Sequence, residues 1–426
     1  MDFLHRVWQT QFPPQPAKTA NALRFGVLGA ANIAPTALFR PAKSHPDVIV
    51  QAVAARDKAK ATAYAKKHGI PQVHDSYDAI LDDPNIDAVY IPLPNGLHFE
   101  WTLKALAKGK HVLLEKPSVS NASEAEILFR SPLLTTPVPE SVNASAAGRP
   151  PVLLEAFHYR FQPAWRYFLS LVDRPNLASV HTEALIPDFL FAKDDIRFRY
   201  ELAGGSMMDL GTYTFSTLRQ IIGEEPVACT SVTIDKCDPP FELCDYGSSA
   251  TFQFPSGVVG SVRSTLRGSK MSLGIPVVSV THKPVPAPLK SNERSSLVPP
   301  GHERVVIRQM TLHNFMISNF WHRLDLEDEY IVRRIGEPTL ITDRYTVKKS
   351  KKIYTFKDAG IDQPSEPFWL SYRHMLEQFV NRIRGREGSG VWVDPEDSIA
   401  QARMIDMAYE QTDLPLRPSS KYQHPK

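Results

Sequence analysis

Short apolar runs alternate with helical stretches over the first third of the chain. Runs rich in Val, Ile and Leu predict strands at 23–28, 48–54, 88–93, 111–114 and 152–157. Helical patterns occupy the intervals between them, and two of these helices are predicted to stop at Gly69 and Gly109. Apolar strands that alternate with helices predict a parallel sheet covered by helices on both faces.

The rest of the chain has a different pattern. Apolar and polar positions alternate with period two over 250–254 and 258–264, which predicts two strands joined by a turn at 255–257. Helices are predicted over 162–173, 206–222, 371–384 and 397–411. We therefore predict an α/β fold in which the parallel sheet is followed by a second α/β domain with a mostly antiparallel, open sheet.

The length of 426 residues suits two domains better than one hydrophobic core. The 36 prolines cluster in stretches that we interpret as loops or linkers. We predict an N-terminal extension at 1–22, a first domain at 23–160 with a proline-rich insertion near 131–151, a second domain at 161–412 with an insertion near 276–300, and a tail at 413–426.

Charge and cysteine content narrow the class of protein. The net charge is only +3 and the basic residues are scattered, which argues against a nucleic-acid or membrane-surface partner. The cysteines Cys229, Cys237 and Cys244 are spaced for neither a zinc site nor a disulfide framework, so we expect no metal and a reducing compartment. We find no apolar run of ~18 residues and no signal peptide, and therefore expect a cytoplasmic protein.

A glycine turn follows the first predicted strand. Gly29, Ala31 and Ala34 occupy the three positions of the G-x-G-x-x-G/A fingerprint, whose backbone approaches a pyrophosphate, and Asn32 and Ile33 complete the turn. Alanine at the middle position weakens the match, and a plain strand-turn-helix is the alternative interpretation. In its alternating context, the turn makes 23–160 a candidate Rossmann domain.

The end of the second predicted strand bears on the choice of nicotinamide cofactor. NADP enzymes place a basic residue there for the 2′-phosphate, whereas NAD enzymes place an acidic one for the ribose. This chain has Arg56 and Lys60 around Asp57, so we predict NADP rather than NAD. A solvated helix start is the alternative interpretation of the two basic residues.

Four ordered motifs resemble one oxidoreductase family. They are His111-Val-Leu-Leu-Glu115-Lys116-Pro117, the loop Pro92-Leu93-Pro94-Asn95-Gly96-Leu97-His98, Glu155-Ala-Phe-His158-Tyr-Arg160-Phe161, and Gly204-Gly-Ser-Met-Met-Asp209-Leu-Gly211-Thr-Tyr213. Together they resemble the glucose-fructose oxidoreductase, inositol dehydrogenase and rhizopine-catabolism (Gfo/Idh/MocA) family over residues 23–411.

The branch of the family that is most similar comprises dimeric dihydrodiol dehydrogenases and fungal NADP-dependent D-xylose dehydrogenases. It shares the Ala54-Ala55-Arg56-Asp57 run and the Asp209 to Tyr213 block. The resemblance implies NADP, a homodimer, and oxidation of the anomeric hydroxyl of an aldopyranose such as D-xylose, or of a trans-dihydrodiol. His158 departs from that branch, which typically carries tryptophan there, so a pathway-specific carbonyl reductase is a further alternative.

The expected chemistry needs a base for the hydroxyl proton. We expect Tyr213 to be that base, with the Lys116 ammonium lowering its pKa from the usual value of about 10. Asp209, four residues before Tyr213, is expected to orient the substrate or the lysine. Each residue also has a structural alternative: Lys116 in a salt bridge with Glu115, Tyr213 packed in a core, and Asp209 capping a helix.

Further residues are expected around the cofactor and the substrate. The cofactor set comprises Gly29, Ala31, Asn32, Ile33, Arg56, Lys60, Leu93, Asn95, His98, Glu115 and Lys116, and the substrate set comprises His158, Arg160 and Arg197. His98 could instead support its helix, His158 and Arg160 could belong to a surface turn, and Arg197 could lie in a solvated loop. A non-catalytic dinucleotide-sensing regulator is the alternative from another functional class.

Overall fold

The computed structural model describes residues 3–143, 146–269, 274–288 and 298–423. The ends of the predicted N-terminal extension and tail lie outside these ranges, as do 144–145 and 289–297 of the two predicted insertions. In the described ranges, no helix has the length and apolar character needed to cross a membrane.

The first part of the chain forms the predicted parallel sheet. Its strands are β1 Leu23–Leu28, β2 Val48–Ala54, β3 Gln72–Val73, β4 Ala88–Ile91, β5 His111–Leu114 and β6 Leu153–Glu155, in the order β3-β2-β1-β4-β5-β6. The helices are α1 Phe3–Gln11, α2 Arg40–Lys43, α3 Lys58–His68, α4 Tyr77–Asp82, α5 His98–Ala107 and α6 Ala122–Phe129. All strand pairs are parallel, and the strand order reverses between β1 and β4, which opens a crevice at their carboxyl ends.

The second part forms a nine-stranded sheet. Its strands are β7 Leu177–Pro187, β8 Ala228–Lys236, β9 Asp245–Gln253, β10 Val259–Gly268, β11 Val277–His282, β12 Val285–Pro286, β13 His302–His313, β14 Arg323–Arg334 and β15 Glu337–Lys351. The order is β15-β14-β13-β11-β7-β10-β9-β8, with β12 paired to β13. Among the strands that the structure describes in this sheet, only β7 and β10 pair in parallel, so the prediction of a mostly antiparallel sheet is confirmed.

The α-helices described in the second part of the chain are α7 Pro163–Ser170, α8 Thr212–Ile222, α9 Ser371–Arg384 and α10 Pro395–Tyr409. Two of these helices, α9 and α10, pack against the first part of the chain. The ring centroids of Phe379 on α9 and Phe25 on β1 are 6.0 Å apart, and α10 packs against α6. One continuous core therefore includes side chains from both sheets.

The interpretation of 276–300 as a loop insertion was wrong at its start. Val277–His282 forms β11, which lies inside the second sheet between β13 and β7. Val278 and Val280 face the core, and the alternation of these buried residues with less buried ones is typical of a half-buried strand. Pro276 precedes this strand and Pro284 follows it, while Pro286 lies in the two-residue strand β12.

Candidate active site

The polar side chains of two motifs meet at the carboxyl edge of the parallel sheet. Lys116 follows β5, while Asp209 lies in a π-helical turn, Met207–Gly211, that leads directly into α8. Tyr213 stands in the first turn of α8. π-helical turns inside helices are frequent at functional sites, and this one brings Asp209 to Lys116.

Lys116 and Asp209 form an ion pair. Lys116 Nζ donates to Asp209 Oδ1 at 2.7 Å and to the Asp209 carbonyl at 2.8 Å. Arg197 Nε donates to the other carboxylate oxygen at 3.0 Å. Burial alone would raise the pKa of Asp209, but Lys116 and Arg197 outweigh it and lower that pKa to about 2. Asp209 is therefore an ionised anchor that fixes the lysine.

Tyr213 is 3% exposed, and its hydroxyl lies 2.9 Å from Nε2 of His158. Lys116 Nζ sits 4.9 Å from the centroid of the Tyr213 ring. Burial, with Tyr372, Glu115 and Asp209 nearby, raises the pKa of Tyr213 well above its usual value. The expectation that Lys116 lowers this pKa was wrong for this arrangement, because the ammonium is directed at Asp209 and not at the phenol.

His158 links Tyr213 to the start of α9. Its Nδ1 lies 2.8 Å from Ser371 Oγ, and its ring stacks on Tyr372 with centroids 3.9 Å apart. Burial, with Lys116 nearby, lowers the pKa of His158 to about 3, so the imidazole is neutral. The sequence reasoning missed Ser371 and Tyr372, because nothing marks the start of an amphipathic helix more than 150 residues away as part of this cluster.

The glycine turn fits a dinucleotide. Gly29 has φ +111°, and a Cβ there would lie 3.1 Å from a methyl group of Leu93, so this position favours glycine. Without a side chain, the backbone of the turn can approach a pyrophosphate closely. Asn32 and Ile33 are exposed at its tip. Ala31, at the middle fingerprint position, is held through its carbonyl by the Tyr64 hydroxyl at 2.7 Å.

The residues after β2 also suit NADP. The carboxylate of Asp57 accepts from the Lys60 backbone N–H at 3.1 Å and so caps α3. Arg56 and Lys60 are exposed, and Arg56 forms no ion pair within the described part of the chain. Its guanidinium is therefore free to pair with a phosphate.

The remaining candidates for cofactor contact have internal partners. Asn95 Nδ2 donates to the Ala203 carbonyl at 3.0 Å. Glu115 is buried and accepts from the Tyr90 hydroxyl at 2.6 Å. His98 is 0% exposed, and its two ring nitrogens lie 2.8 Å from the carbonyls of Leu93 and Pro117. His98 thus connects the loops that contain Leu93 and Pro117. The expected contact of His98 with the nicotinamide is corrected, because this buried side chain supports the two loops instead.

Arg160 does not reach the cleft. It is 1% exposed, forms an ion pair with Asp397 on α10, and its Nη2 donates to Ser216 Oγ at 2.7 Å. Arg219 Nη1 shares the same carboxylate at 2.6 Å. The expectation that Arg160 contacts the substrate was wrong, because its guanidinium is buried and paired within this network. Within the described ranges, no group of three His, Cys, Asp or Glu residues could hold a metal.

The crevice at the carboxyl ends of a doubly wound sheet, with an ion-paired lysine beside a buried tyrosine, defines a Rossmann-type dinucleotide-binding class of protein. Two family models match the chain: "Oxidoreductase family, NAD-binding Rossmann fold" over residues 23–131 and "GFO/IDH/MocA C-terminal domain" over residues 176–271. The chain belongs to the Gfo/Idh/MocA oxidoreductase family, as the similarity of curated relatives below also indicates.

Three curated relatives illustrate the range of activities. D-xylose 1-dehydrogenase (NADP(+)) 2 of Haloferax volcanii is 36% identical over 57% of this chain and 69% of its own length. Trans-1,2-dihydrobenzene-1,2-diol dehydrogenase of Sus scrofa is 32% identical over 56% of this chain and 67% of its own length. A dTDP-3,4-didehydro-2,6-dideoxy-alpha-D-glucose 3-reductase of Streptomyces violaceoruber is 36% identical over 49% of this chain and 57% of its own length.

Solved structures agree on the fold. KijD10, a 3-ketoreductase from Actinomadura kijaniata crystallised with NADP and TDP-benzene, has a TM-score of 0.65 at 20% identity and covers 92% of this chain and 98% of its own. Aldose-aldose oxidoreductase from Caulobacter crescentus, complexed with glycerol, has a TM-score of 0.63 at 20% identity, over 92% and 97% of the two chains. The predicted two-sheet α/β fold is thereby confirmed.

Proposed function

We propose that this protein is an NADP-dependent dehydrogenase that oxidises the anomeric hydroxyl of an aldopyranose, such as D-xylose, to the lactone. The observation that carries the proposal is the Lys116–Asp209 ion pair beside Tyr213 at the carboxyl edge of the parallel sheet. The similarity to the D-xylose 1-dehydrogenase of Haloferax volcanii supports the substrate class.

NADP is the proposed cofactor. Gly29 and its turn would face the pyrophosphate, and Arg56, with Lys60, would face the 2′-phosphate. When bound, the nicotinamide supplies the acceptor for the hydride that leaves the anomeric carbon. The protein then has to move one proton, from the substrate hydroxyl to solvent.

Lys116 and Tyr213 would handle the substrate oxygen. An ammonium has three N–H donors, and two of those on Lys116 are directed at Asp209. The third donor remains to polarise the substrate oxygen as negative charge develops on it. Tyr213 would accept the hydroxyl proton, with Asp209 holding the lysine between the two groups.

His158 is proposed to support Tyr213. A neutral imidazole has one N–H, and the Ser371 hydroxyl can either accept a hydrogen bond from Nδ1 or donate one to it. When Ser371 donates, the proton of His158 lies on Nε2 and is directed at the Tyr213 oxygen 2.9 Å away. That hydrogen bond would stabilise the phenolate that the oxidation requires.

A substrate panel tests the proposal. D-xylose, D-glucose and a trans-dihydrodiol are each assayed with NADP⁺ and NAD⁺, using the wild type and Arg56→Ala. We expect reduction of NADP⁺ with D-xylose, and at least a ten-fold loss of the preference for NADP⁺ in Arg56→Ala. If neither cofactor is reduced with any substrate, the proposal fails. NADP binding without turnover would then favour the dinucleotide sensor.

Reduction of a sugar ring ketone is the second candidate. Its specific support is the raised pKa of Tyr213, because a protonated phenol is the acid that a carbonyl oxygen needs as it accepts hydride. The similarity to the 3-reductase of Streptomyces violaceoruber points the same way. NADPH oxidation by 3-keto sugars that exceeds NADP⁺ reduction by D-xylose would favour this candidate.

We further propose a homodimer. β15 forms one edge of the second sheet and nearly all of its side chains are exposed, so its free backbone groups are open to pairing or cover by a second copy. Sedimentation of the purified protein as a monomer at micromolar concentration would contradict this proposal.

A further inference from the structure

A second cavity lies at the amino edge of the parallel sheet, opposite the edge that holds Lys116. Its volume is about 1020 Å³, which is ample for a small organic ligand. The wall is built by the chain that enters β1, the residues before β6, the end of α9 and the start of α10. It is therefore separate from the crevice assigned to the cofactor.

Three arginines line this cavity without a carboxylate partner in the part of the chain that the structure describes: Arg149, Arg382 and Arg384. A fourth, Arg24, is neutralised by Asp87 at 2.9 Å. One further acidic residue, the exposed Asp394, is part of the lining. The cavity consequently carries an excess of positive charge.

Two of the arginines come from separate segments of the chain. Nη1 of Arg149 lies 4.0 Å from the position that a Cβ on Gly385 would occupy, and Gly385 directly follows Arg384 in the sequence. Nη2 of Arg384 donates to the Asn21 carbonyl, whereas its Nε is buried without any hydrogen-bond partner. A buried N–H of a charged group that lacks a partner is costly, and an anion in the cavity would offset the excess positive charge of its lining.

The neighbouring groups favour an organic anion over a bare one. Burial, with Arg384 adding to it, lowers the pKa of His111 to about 4, so this histidine adds no charge. The side chain of Trp392 forms an apolar wall and lies 5.1 Å from the Arg382 guanidinium, and Pro150 and Pro151 extend the wall. The α9 C-terminus offsets part of the charge of Arg382 and Arg384, but Arg149 lies on no helix.

We propose that this cavity binds a small organic anion, with a phosphate or carboxylate group on Arg149 and Arg384 and an apolar or aromatic body against Trp392. The forked guanidinium groups can each form paired hydrogen bonds with such a group. The site is independent of the dehydrogenase proposal, because none of its residues lies at the carboxyl edge of the sheet.

The test measures binding of phenyl phosphate, benzoate and inorganic phosphate by calorimetry, on the full chain. The variants are Arg149→Glu, a charge reversal at an exposed position, and Lys67→Glu as a matched control on the exposed face of α3. Arg56→Ala is included because phenyl phosphate could also enter the proposed cofactor site. The two organic anions show whether phosphate or carboxylate is preferred.

We expect phenyl phosphate or benzoate to bind more tightly than inorganic phosphate. Affinity should fall at least ten-fold in Arg149→Glu, change less than two-fold in Lys67→Glu and Arg56→Ala, and weaken between 0.1 and 0.5 M salt, roughly as expected for screened charges. Three results would overturn the proposal: no binding of any probe, binding that Arg149→Glu leaves unchanged, or inorganic phosphate binding as tightly as the organic anions.

Discussion

The Lys116–Asp209 pair gives a prediction whose size follows from the structure. The pKa of Asp209 is lowered from 3.8 to about 2, and a shift of one unit corresponds to about 1.4 kcal/mol. The ionised carboxylate therefore contributes about 2.4 kcal/mol to the free energy of unfolding at neutral pH. Because the Lys116 and Asp209 side chains are only 12% and 24% exposed, solvent screens little of this contribution.

The sign of the pH dependence is fixed by the lowered pKa. A carboxyl group whose folded pKa lies below its unfolded pKa stabilises the protein above about pH 4 and loses that contribution as pH falls through about 2. The difference in unfolding free energy between the wild type and Asp209→Asn should thus be about 2.4 kcal/mol at pH 7 and about 1.3 kcal/mol at pH 3.

A double-mutant cycle isolates the share that belongs to Lys116. Lys116→Met, Asp209→Asn and the double variant are unfolded in urea and followed by tryptophan fluorescence. We expect a coupling free energy of at least about 1 kcal/mol, since Lys116 exceeds Arg197 among the groups that lower the pKa of Asp209. The exposed pair Lys58–Asp75, with side chains 66% and 76% exposed, is the control and should couple by less than about 0.5 kcal/mol.

The same variants report on catalysis. Lys116→Met should lower kcat by at least about 100-fold, as is typical for loss of a group that acts on the reacting oxygen. Additive single effects on stability, or an Asp209→Asn variant whose pH dependence matches the wild type, would refute the reasoning about the ion pair. Unchanged kcat in Lys116→Met would separately refute its catalytic role.

Three further predictions follow from groups around the site. The raised pKa of Tyr213 predicts that the oxidation rate climbs with pH up to at least about 10, while the reduction rate is flat below that pH. An oxidation rate that already levels off near pH 7 would contradict the assignment of Tyr213 as the base. Arg160→Met should lower the free energy of unfolding by about 3 kcal/mol and leave KM for the sugar unchanged, because Arg160 belongs to a buried ion-pair network. A raised KM with unchanged stability would instead support a contact between Arg160 and the substrate. Burial raises the pKa of Glu155 from 4.5 to about 7, despite hydrogen bonds from Ser398 and Ser118. The free energy of unfolding of the wild type should therefore fall by about 3 kcal/mol between pH 4.5 and 7.5. Glu155→Gln should lack this component of the pH dependence, and equal pH dependence of the two proteins would exclude it.

Much of the fold could be predicted from the sequence, because strands and helices leave different periods in the apolar positions. The 371–384 helix and the strands at 23–28, 48–54 and 111–114 have the predicted bounds. β11 was missed because the prolines around it outweighed the alternation of Val278 and Val280. Local composition cannot report that a short strand is inserted between two distant ones.

The candidate site was predictable in part for a related reason. Lys116, Asp209 and Tyr213 belong to motifs at the ends of regular elements, and the fold brings those ends together. Arg160 also belongs to a motif, but its partner Asp397 is 237 residues away, so its burial could not be read from the sequence. Tyr372 has the same difficulty, since only the docking of α9 brings it to His158.

The contiguous motif after β5 illustrates how neighbouring residues acquire different tasks. Successive side chains at a strand end point to opposite sides, so Glu115 turns into the protein toward Tyr90, whereas Lys116 turns toward Asp209. The Pro117 carbonyl is held by His98, and the Ser118 amide by Glu155, which accepts in turn from Ser398 on α10. The lysine therefore projects from a loop fixed on both sides by buried groups. Those groups are buried, yet they determine where the Lys116 ammonium can lie. Adjacent residues of one motif therefore have different tasks, and Lys116 is the one whose side chain is directed at Asp209.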